Sequence, residues 1–184
     1  MHVEAEATIG RPIDEVFDHV ARAEYLPEYV TQFSWVHQVG AGEPARGTSY
    51  EYKMARGQAA GTFEWTEFDR PSKLAWHGPS AKAGPGSMEP SGWWELSEEG
   101  PGTRVKLVMT PKPGGLFKLL APLMRGQMRK GNVEALRLLK EQIELCSRKG
   151  TLYAGFVVSV SALAFIILYP RRVSLDQCGR SPQR

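Results

Sequence analysis

The chain has 184 residues, of which 42% are hydrophobic and 23% charged, so it can bury one core and is not a disordered protein. The net charge of +3 hides parts of opposite sign: residues 1–100 carry 8 basic and 16 acidic side chains, and residues 101–149 carry 11 and 3. We expect no nucleic-acid binding, because the basic stretch is matched by an acidic remainder instead of standing as one concentrated basic face.

The cysteines and the N-terminus indicate the compartment. Cys146 and Cys178 are the two cysteines of the chain and lie on opposite sides of its most apolar segment. They predict neither a disulfide framework nor a zinc site, and they fit a reducing compartment. The first ten residues contain no basic start followed by an apolar run, so we expect no secretory signal.

The first thirty residues predict one strand followed by two short helices. Val3 to Ile9 alternates between apolar and polar residues, which is the period of a half-buried strand. Pro12 and Asp14 open a helical pattern, and Tyr25 to Val30 repeats it in a shorter piece.

From residue 33 onwards, short strands are predicted between turn residues. The predicted strands are Phe33–Val39, Thr48–Met54, Gly61–Phe68, Leu74–His77, Gly92–Leu96 and Arg104–Met109. Gly84 to Ser87 is predicted to be a loop, and Glu98 to Gly102 a tight turn. Spacing this close favours an antiparallel meander, because parallel neighbours need connections of about a dozen or more residues.

The longest amphipathic segment runs from Leu116 to Cys146 and predicts a helix. One broad apolar face is predicted, consisting of Leu116, Leu120, Leu123, Met124, Met128, Ala135, Leu136, Leu139 and Ile143. We expect Pro122 to separate a short first turn from the main helix, since proline disrupts a helix interior. The helix is suited to cover the apolar face of the sheet, either as plain core filling or with some residues contacting a ligand.

Several segments resemble those of a known superfamily. They are Ala7–Phe17, Glu24–Tyr29, Asp69–Trp76 and Leu136–Glu144. From Val3 to Ser147 the sequence resembles the SRPBCC superfamily of START and Bet v 1-like helix-grip proteins, most closely its polyketide cyclase/dehydrase-like members. The resemblance implies an α+β helix-grip domain over residues 1–147. In that fold the order of elements is one strand, two helices, six strands and a long C-terminal helix. The strands form a curved antiparallel sheet around the long helix.

The resemblance also implies a cavity for an apolar molecule such as a lipid or polyketide. The residues predicted to line it are Tyr50, Tyr52, Met54, Phe63, Trp65, Trp76, Trp94, Leu107, Met109, Met124 and Met128. Aromatic and thioether side chains with a few polar groups are the usual lining of a small-molecule pocket. The alternative is that these side chains close the space completely.

No catalytic, metal or cofactor site is predicted. The four histidines lack metal-ligand spacing, and Asp14 and Asp18 beside His19 are expected to form a solvated helix face. Surface positions are also expected for the carboxylates Glu64, Glu67, Asp69 and Glu95. We therefore predict binding or transfer of an apolar molecule. A cyclase-like enzyme acting on an aromatic or polyketide substrate is the alternative, which an acid, base or hydroxyl beside the cavity would favour.

A second apolar segment follows the domain. Leu152 to Tyr169 contains 18 residues without a charge, between Arg148-Lys149 and Arg171-Arg172. As a helix it would span about 27 Å, close to the roughly 30 Å hydrocarbon thickness of a bilayer. We predict a membrane helix over residues 148–170 and a short basic tail over 171–184, with the domain in the cytoplasm. A soluble helix packed on the domain is the alternative.

The polar side of the long helix is basic. Its cations are Lys118, Arg125, Arg129, Lys130, Arg137 and Lys140. Anionic headgroups attract such residues by about 1 kcal/mol each close to the surface. We therefore expect this face to hold the domain on a membrane, where the cavity exchanges ligand with the bilayer. The alternative is that these charges compensate the acidic first hundred residues.

Overall fold

The strands form two antiparallel sheets in the computed structural model, which describes residues 1–55, 60–83 and 86–154. The strands are β1 Val3–Ile9, β2 Phe33–Gln38, β3 Ser49–Met54, β4 Ala60–Asp69, β5 Lys73–His77, β6 Ala81–Ala83, β7 Gly86–Glu89, β8 Ser91–Glu99, β9 Gly102–Met109 and β10 Lys112–Gly115. The larger sheet has the spatial order β1-β9-β8-β5-β4-β3-β2, and the small sheet has the order β10-β7-β6.

Helices connect and cover the sheets. Helix α1 is Ile13–Ala21, a short 3₁₀ turn is Ala23–Tyr25, α2 is Leu26–Tyr29 and α3 is Phe117–Ala154. Leu136, Leu139 and Ile143 of α3 are buried in one hydrophobic core with Trp65 and Val105 of the larger sheet. This core confirms the predicted fold class, a curved antiparallel sheet with a long C-terminal helix packed on it.

The six strands predicted after the first helices are present as β2 to β5, β8 and β9. The small sheet is a difference from the sequence prediction. Gly86 and Ser87 are predicted to be loop, yet they belong to β7, which pairs with β6 and β10. Local patterns miss these strands because each has only three or four residues and two of them are rich in glycine or proline.

Helix α3 passes through Pro122 without a break, so the prediction of a separate first turn is wrong. Proline removes one backbone hydrogen bond and fixes its own backbone angle, which a helix accommodates best near its start. Pro122 lies within the first two turns of a helix that begins at Phe117. After Pro122 the helix continues without interruption to Ala154.

The apolar residues of α3 lie on two different faces. Leu136 is 1% exposed, whereas Leu123 is 76% exposed. These two residues are thirteen positions apart, so at about 100° per residue they lie about 140° apart around the helix. The prediction that Leu116, Leu120 and Leu123 share the core-facing side is therefore wrong. Leu116, just before α3, and Leu120 and Leu123 within it are all exposed.

In the described part of the chain, no helix combines the length and the apolarity needed to cross a membrane. Most of the membrane helix predicted over residues 148–170 lies outside the described residues, since the description ends at residue 154. The predicted basic tail, residues 171–184, lies outside them entirely. Both remain predictions.

His19 lies on α1 against two aromatic rings, with ring centroids 5.0 Å from Tyr25 and 6.0 Å from Tyr29. Burial lowers the pKa of His19 from 6.5 to about 4. The folded protein therefore keeps the imidazole neutral, whereas the unfolded chain protonates it near pH 6.5. Burial of the neutral imidazole therefore makes the stability of the fold depend on pH. Its contribution to the free energy of unfolding is complete above the unfolded pKa and is lost as the pH falls from there towards 4.

As the pH is lowered from 6.5 to about 4, the unfolded and folded pKa values of His19, we expect the thermal unfolding midpoint to decrease. The decrease should be smaller in a His19→Phe variant. Circular dichroism at a series of pH values measures both midpoints. His37→Phe is the matched control, because His37 is exposed. The His37 variant should keep the wild-type slope, and an unchanged slope in His19→Phe would contradict the burial of His19.

Candidate functional site

A cavity of about 270 Å³ lies between the larger sheet, the segment that begins with α2, the small sheet and α3. The larger sheet contributes Tyr52, Met54, Phe63, Trp65, Trp76, Trp94, Leu107 and Met109 to its wall. Its volume is at the small end of the roughly 300–1,000 Å³ that ligand sites usually have. The alternative interpretation of the sequence required the side chains to close this space completely. The cavity shows that they do not.

Strand register brings the tryptophans of the wall together. Trp65 on β4 pairs with Trp76 on β5, and their ring centroids are 6.5 Å apart. Trp76 lies 6.3 Å from Trp94 on the next strand of the sheet, β8. Gly92, which pairs with Trp76, leaves room for this ring, since a Cβ atom there would lie 2.5 Å from it. The result is a continuous aromatic floor across three neighbouring strands.

Nine of the eleven residues predicted to line a cavity border this one, including Met128 of α3. Tyr50 and Met124 do not. Tyr50 is fully buried behind the wall, where its ring stacks on Phe63 at 5.2 Å and burial raises its pKa to about 12. Met124 lies one turn before Met128 on α3. Contact of the nine with a ligand stays a prediction.

Ten further residues border the cavity that were not among those predicted to line it. They are Leu26, Val30, Gln32, Phe33, Lys82, Met88, Pro90, Gly131, Asn132 and Ala135. Most come from the segment around α2 and from the small sheet, which reach the cavity through tertiary packing. One signal was available: Asn132 follows Met128 by four residues and precedes Ala135 by three, which places all three on one helix face.

The cavity has few polar side chains, and two of them are amides. Asn132 is 6% exposed, and its side-chain nitrogen has no hydrogen-bond partner among the described residues. Gln32 lies close by, because a Cβ atom on Gly131 would lie 2.8 Å from its Nε2. Lys82 borders the cavity from an exposed position on β6. An unpaired buried amide costs roughly 1–3 kcal/mol. The Asn132 nitrogen is itself buried, so donation to a bound molecule requires the amide to turn towards the cavity.

Tyr52 supplies the hydroxyl group of the described lining. Its ring packs over Gly61 on β4, where a Cβ atom would lie 2.7 Å from the hydroxyl oxygen. Burial raises the pKa of Tyr52 above its ordinary value of 10.0. The hydroxyl therefore stays protonated at neutral pH and serves as a hydrogen-bond donor.

Carboxylates and imidazoles are missing from the described lining, which contains no aspartate, glutamate or histidine and has Lys82 as its charged side chain. Of the carboxylates considered from the sequence, Glu64, Asp69 and Glu95 are exposed. Glu67 is directed to Lys73, with 2.8 Å between Oε2 and Nζ, and the hydrogen bond from Lys73 lowers its pKa. Within the described residues, no carboxylate or imidazole therefore stands beside the cavity as a general base.

The solvated face predicted for α1 is confirmed, since the side chains of Asp14 and Asp18 are 68% and 52% exposed. Both carboxylates form ion pairs with Arg70 of the turn after β4. Within residues 1–55, 60–83 and 86–154, no cluster of three or more His, Cys, Asp or Glu has a metal-binding arrangement.

The comparisons with known proteins agree with this architecture. The family described as "Polyketide cyclase / dehydrase and lipid transport" matches residues 1–144. A crystal structure of a Thermus thermophilus protein is 22% identical, with a TM-score of 0.67 over 80% of this chain and 99% of its own. The Zhui aromatase/cyclase of a Streptomyces species is 16% identical, with a TM-score of 0.65 over 82% and 97%.

A Geobacillus kaustophilus protein is 14% identical, with a TM-score of 0.64 over 78% of this chain and 95% of its own. At these identities the similarity to solved structures shows the fold alone. A search of curated proteins found no match.

Proposed function

The chain belongs to the polyketide cyclase/dehydrase and lipid transport family, and on that premise we propose that it binds and carries a small, mainly apolar molecule in the cavity. The observation that carries this proposal is the composition of the wall. Its side chains are mainly aromatic, aliphatic or thioether groups, joined by two amides, one hydroxyl and the single charged side chain of Lys82. The described lining has no carboxylate or imidazole. Such a wall is suited to holding a molecule rather than to moving its protons.

We infer that the ligand has an apolar body and at least one hydrogen-bond acceptor, such as a carbonyl oxygen. The aromatic floor favours a ring system or a short acyl chain, and a volume of about 270 Å³ limits its size. The unpaired amide nitrogen of Asn132 would donate to the acceptor and so recover the cost of its burial. A buried polar group of this kind discriminates against ligands that leave it unpaired.

A cyclase-like enzyme is the second candidate, and two observations support keeping it. The family description includes cyclases, and the Tyr52 hydroxyl borders the cavity. A cyclisation, however, needs a group that removes a proton from the substrate. Tyr52 stays protonated because burial raises its pKa, and the described wall offers no carboxylate or imidazole for that role. We therefore favour binding and transfer.

We further propose that the domain works at the cytoplasmic surface of a membrane. The length of the uncharged sequence from Leu152 to Tyr169 and its basic flanks support a membrane anchor. Beyond residue 154 this sequence lies outside the described residues. The exposed side chains at the start of α3 supply an independent argument, and the vesicle experiment described with them tests the surface location.

We expect the full-length protein to prefer 1-acetonaphthone over 1-ethylnaphthalene by about 10-fold after correction for their transfer from water. The two probes have similar shapes, but only the ketone accepts a hydrogen bond strongly. Quenching of Trp65, Trp76 and Trp94, which border the cavity, reports binding. In an Asn132→Leu variant the preference should disappear while the hydrocarbon still binds, because the donor is removed and the apolar wall is kept.

Gln127→Leu is the matched control, because Gln127 is an exposed amide on the same helix and should leave the preference unchanged. The Asn132→Leu variant should also unfold at higher urea concentration, as expected when an unpaired buried amide is replaced. A preference that survives this substitution would contradict the role of Asn132. Failure of both probes to quench the wild type would contradict the binding function itself.

A further inference from the structure

The residue just before α3 and the first turns of that helix expose a row of leucines. Leu116, Leu119, Leu120 and Leu123 are 45%, 78%, 42% and 76% exposed. Their spacing of three, four and seven positions places them on one side of the helix, which we call the leucine face. The core-facing residues Leu136 and Leu139 lie on the other side of the same helix. A contiguous apolar row of this kind on a domain surface marks an interaction site.

Cations border the leucine face on one flank and have no acidic neighbours in the sequence. At about 100° per residue, Lys130 lies about 20° from Leu119 around the helix. Arg129 and Lys118 lie about 80° and 100° from it on one flank. Between Glu99 and Glu134 the chain has seven basic residues and no acidic one. The exposed cations nearest to the leucines in the helix are Lys118, Arg125, Arg129 and Lys130. Arg125 donates to the His2 carbonyl oxygen at 3.0 Å, and none of these four forms an ion pair within the described part of the chain.

The rest of the predicted basic face is different. Arg137 is paired with both Glu134 and Glu141, and Lys140 lies 3.9 Å from Glu144. The cationic character expected along the whole helix is therefore neutralised at Arg137 and Lys140. Among the side chains that the structure describes, unpaired cations and the row of exposed leucines coincide at the start of α3.

We propose that the leucine face docks on an anionic lipid bilayer together with the cations on its flank, Lys118, Arg129 and Lys130. Leucine side chains enter the boundary between headgroups and acyl chains, while flanking lysine and arginine side chains contact the lipid phosphates. A second copy of the chain is a poorer partner for this face. A two-fold interface would bring two sets of unpaired cations together, whereas an anionic surface neutralises them.

Docking at this face would bring the bilayer close to the cavity. Phe117 at the start of α3 lies against Gly86 of β7, where a Cβ atom would be 2.6 Å from the ring. Met88 on the same strand and Met128 on the same helix both border the cavity. A ligand would then travel only a short distance between the bilayer and the cavity. This exchange rests on the proposed function, binding of an apolar molecule in the cavity.

Hydrogen–deuterium exchange of the full-length protein tests the docking, read from peptides that cover residues 116–125. With phosphatidylcholine vesicles that contain phosphatidylserine, we expect exchange in this segment to slow by about 10-fold at low salt. Vesicles of phosphatidylcholine alone should slow it much less. The readout is confined to the start of α3, so it is separate from any contact made by the C-terminal segment.

A Leu119→Ser/Leu123→Ser variant should lose this protection, and a Lys118→Glu/Arg129→Glu variant should lose its dependence on phosphatidylserine. Val133→Ser is the matched control, because Val133 is 56% exposed on α3 but lies outside the leucine face. Protection that ignores lipid charge would overturn the proposal. So would protection that appears without vesicles and grows with protein concentration, since that result would assign the face to a second copy. No ligand enters this experiment, so its outcome does not depend on the proposed function.

Discussion

Replacing Ala135 with phenylalanine is expected to abolish ligand binding while the domain stays folded. Ala135 is 3% exposed and borders the cavity from α3. Since a cavity of about 150 Å³ accommodates a benzene molecule, the added ring would take more than half of the available space. We expect the affinity for 1-ethylnaphthalene, measured by tryptophan quenching, to fall by about 100-fold or more, which is about 2.7 kcal/mol.

The matched control is Val133→Phe, which adds the same ring two positions away at an exposed site. This variant should bind the probe with wild-type affinity. The Ala135 variant should unfold cooperatively, because a ring that enters an existing cavity is accommodated with less strain than one forced into a filled core. Wild-type affinity in a folded Ala135→Phe protein would show that the probe binds somewhere else.

Truncating Leu139 to alanine is expected to lower the free energy of unfolding by about 2–5 kcal/mol. Leu139 is 0% exposed and lies in the core with the sheet residues, so the substitution leaves a cavity in a packed region. Leu123→Ala is the same chemical change on the same helix at a site that is 76% exposed. Its effect should stay within about 0.5 kcal/mol. Urea denaturation measures both.

The pair decides which side of α3 meets the sheet. If Leu123→Ala cost as much as Leu139→Ala, the leucine face would be part of the core and the single broad face expected from the sequence would be restored. A small effect of both would mean that α3 is not packed on the sheet as described.

Local patterns predict the larger sheet well because each of its strands has one side in the core. Alternation therefore appears in the sequence of β3, β4 and β9, and turn residues separate the strands. The small sheet leaves no such signal. Its strands have three or four residues, and β10 reads Lys-Pro-Gly-Gly, a composition that local preference assigns to a turn.

The candidate site is predictable where it depends on the pleat of the sheet. Tyr52, Phe63 and Trp65 share a side of their strands, so their grouping follows from alternation. The polar residues Gln32 and Lys82 reach the cavity from a connecting segment and from the small sheet, and no local pattern records that proximity.

The leucine face exposes another limit of sequence patterns. Periodicity shows that apolar residues of α3 recur at helical spacing, but it does not say which of two apolar sides meets the sheet. Leu123 and Leu136 lie about 140° apart around the helix at 100° per residue, so the sequence shows that there are two apolar sides. Which side meets the sheet becomes known only from the structure, where Leu136 is buried in the core.

Native mass spectrometry of the full-length protein, purified under non-denaturing conditions, shows directly whether the cavity holds a ligand. We expect one small apolar molecule bound to each wild-type chain, or taken up from added 1-acetonaphthone, and none bound to the Ala135→Phe variant. A wild-type spectrum that contains only the bare chain, before and after incubation with that ketone, would contradict the proposal that the cavity is a ligand site.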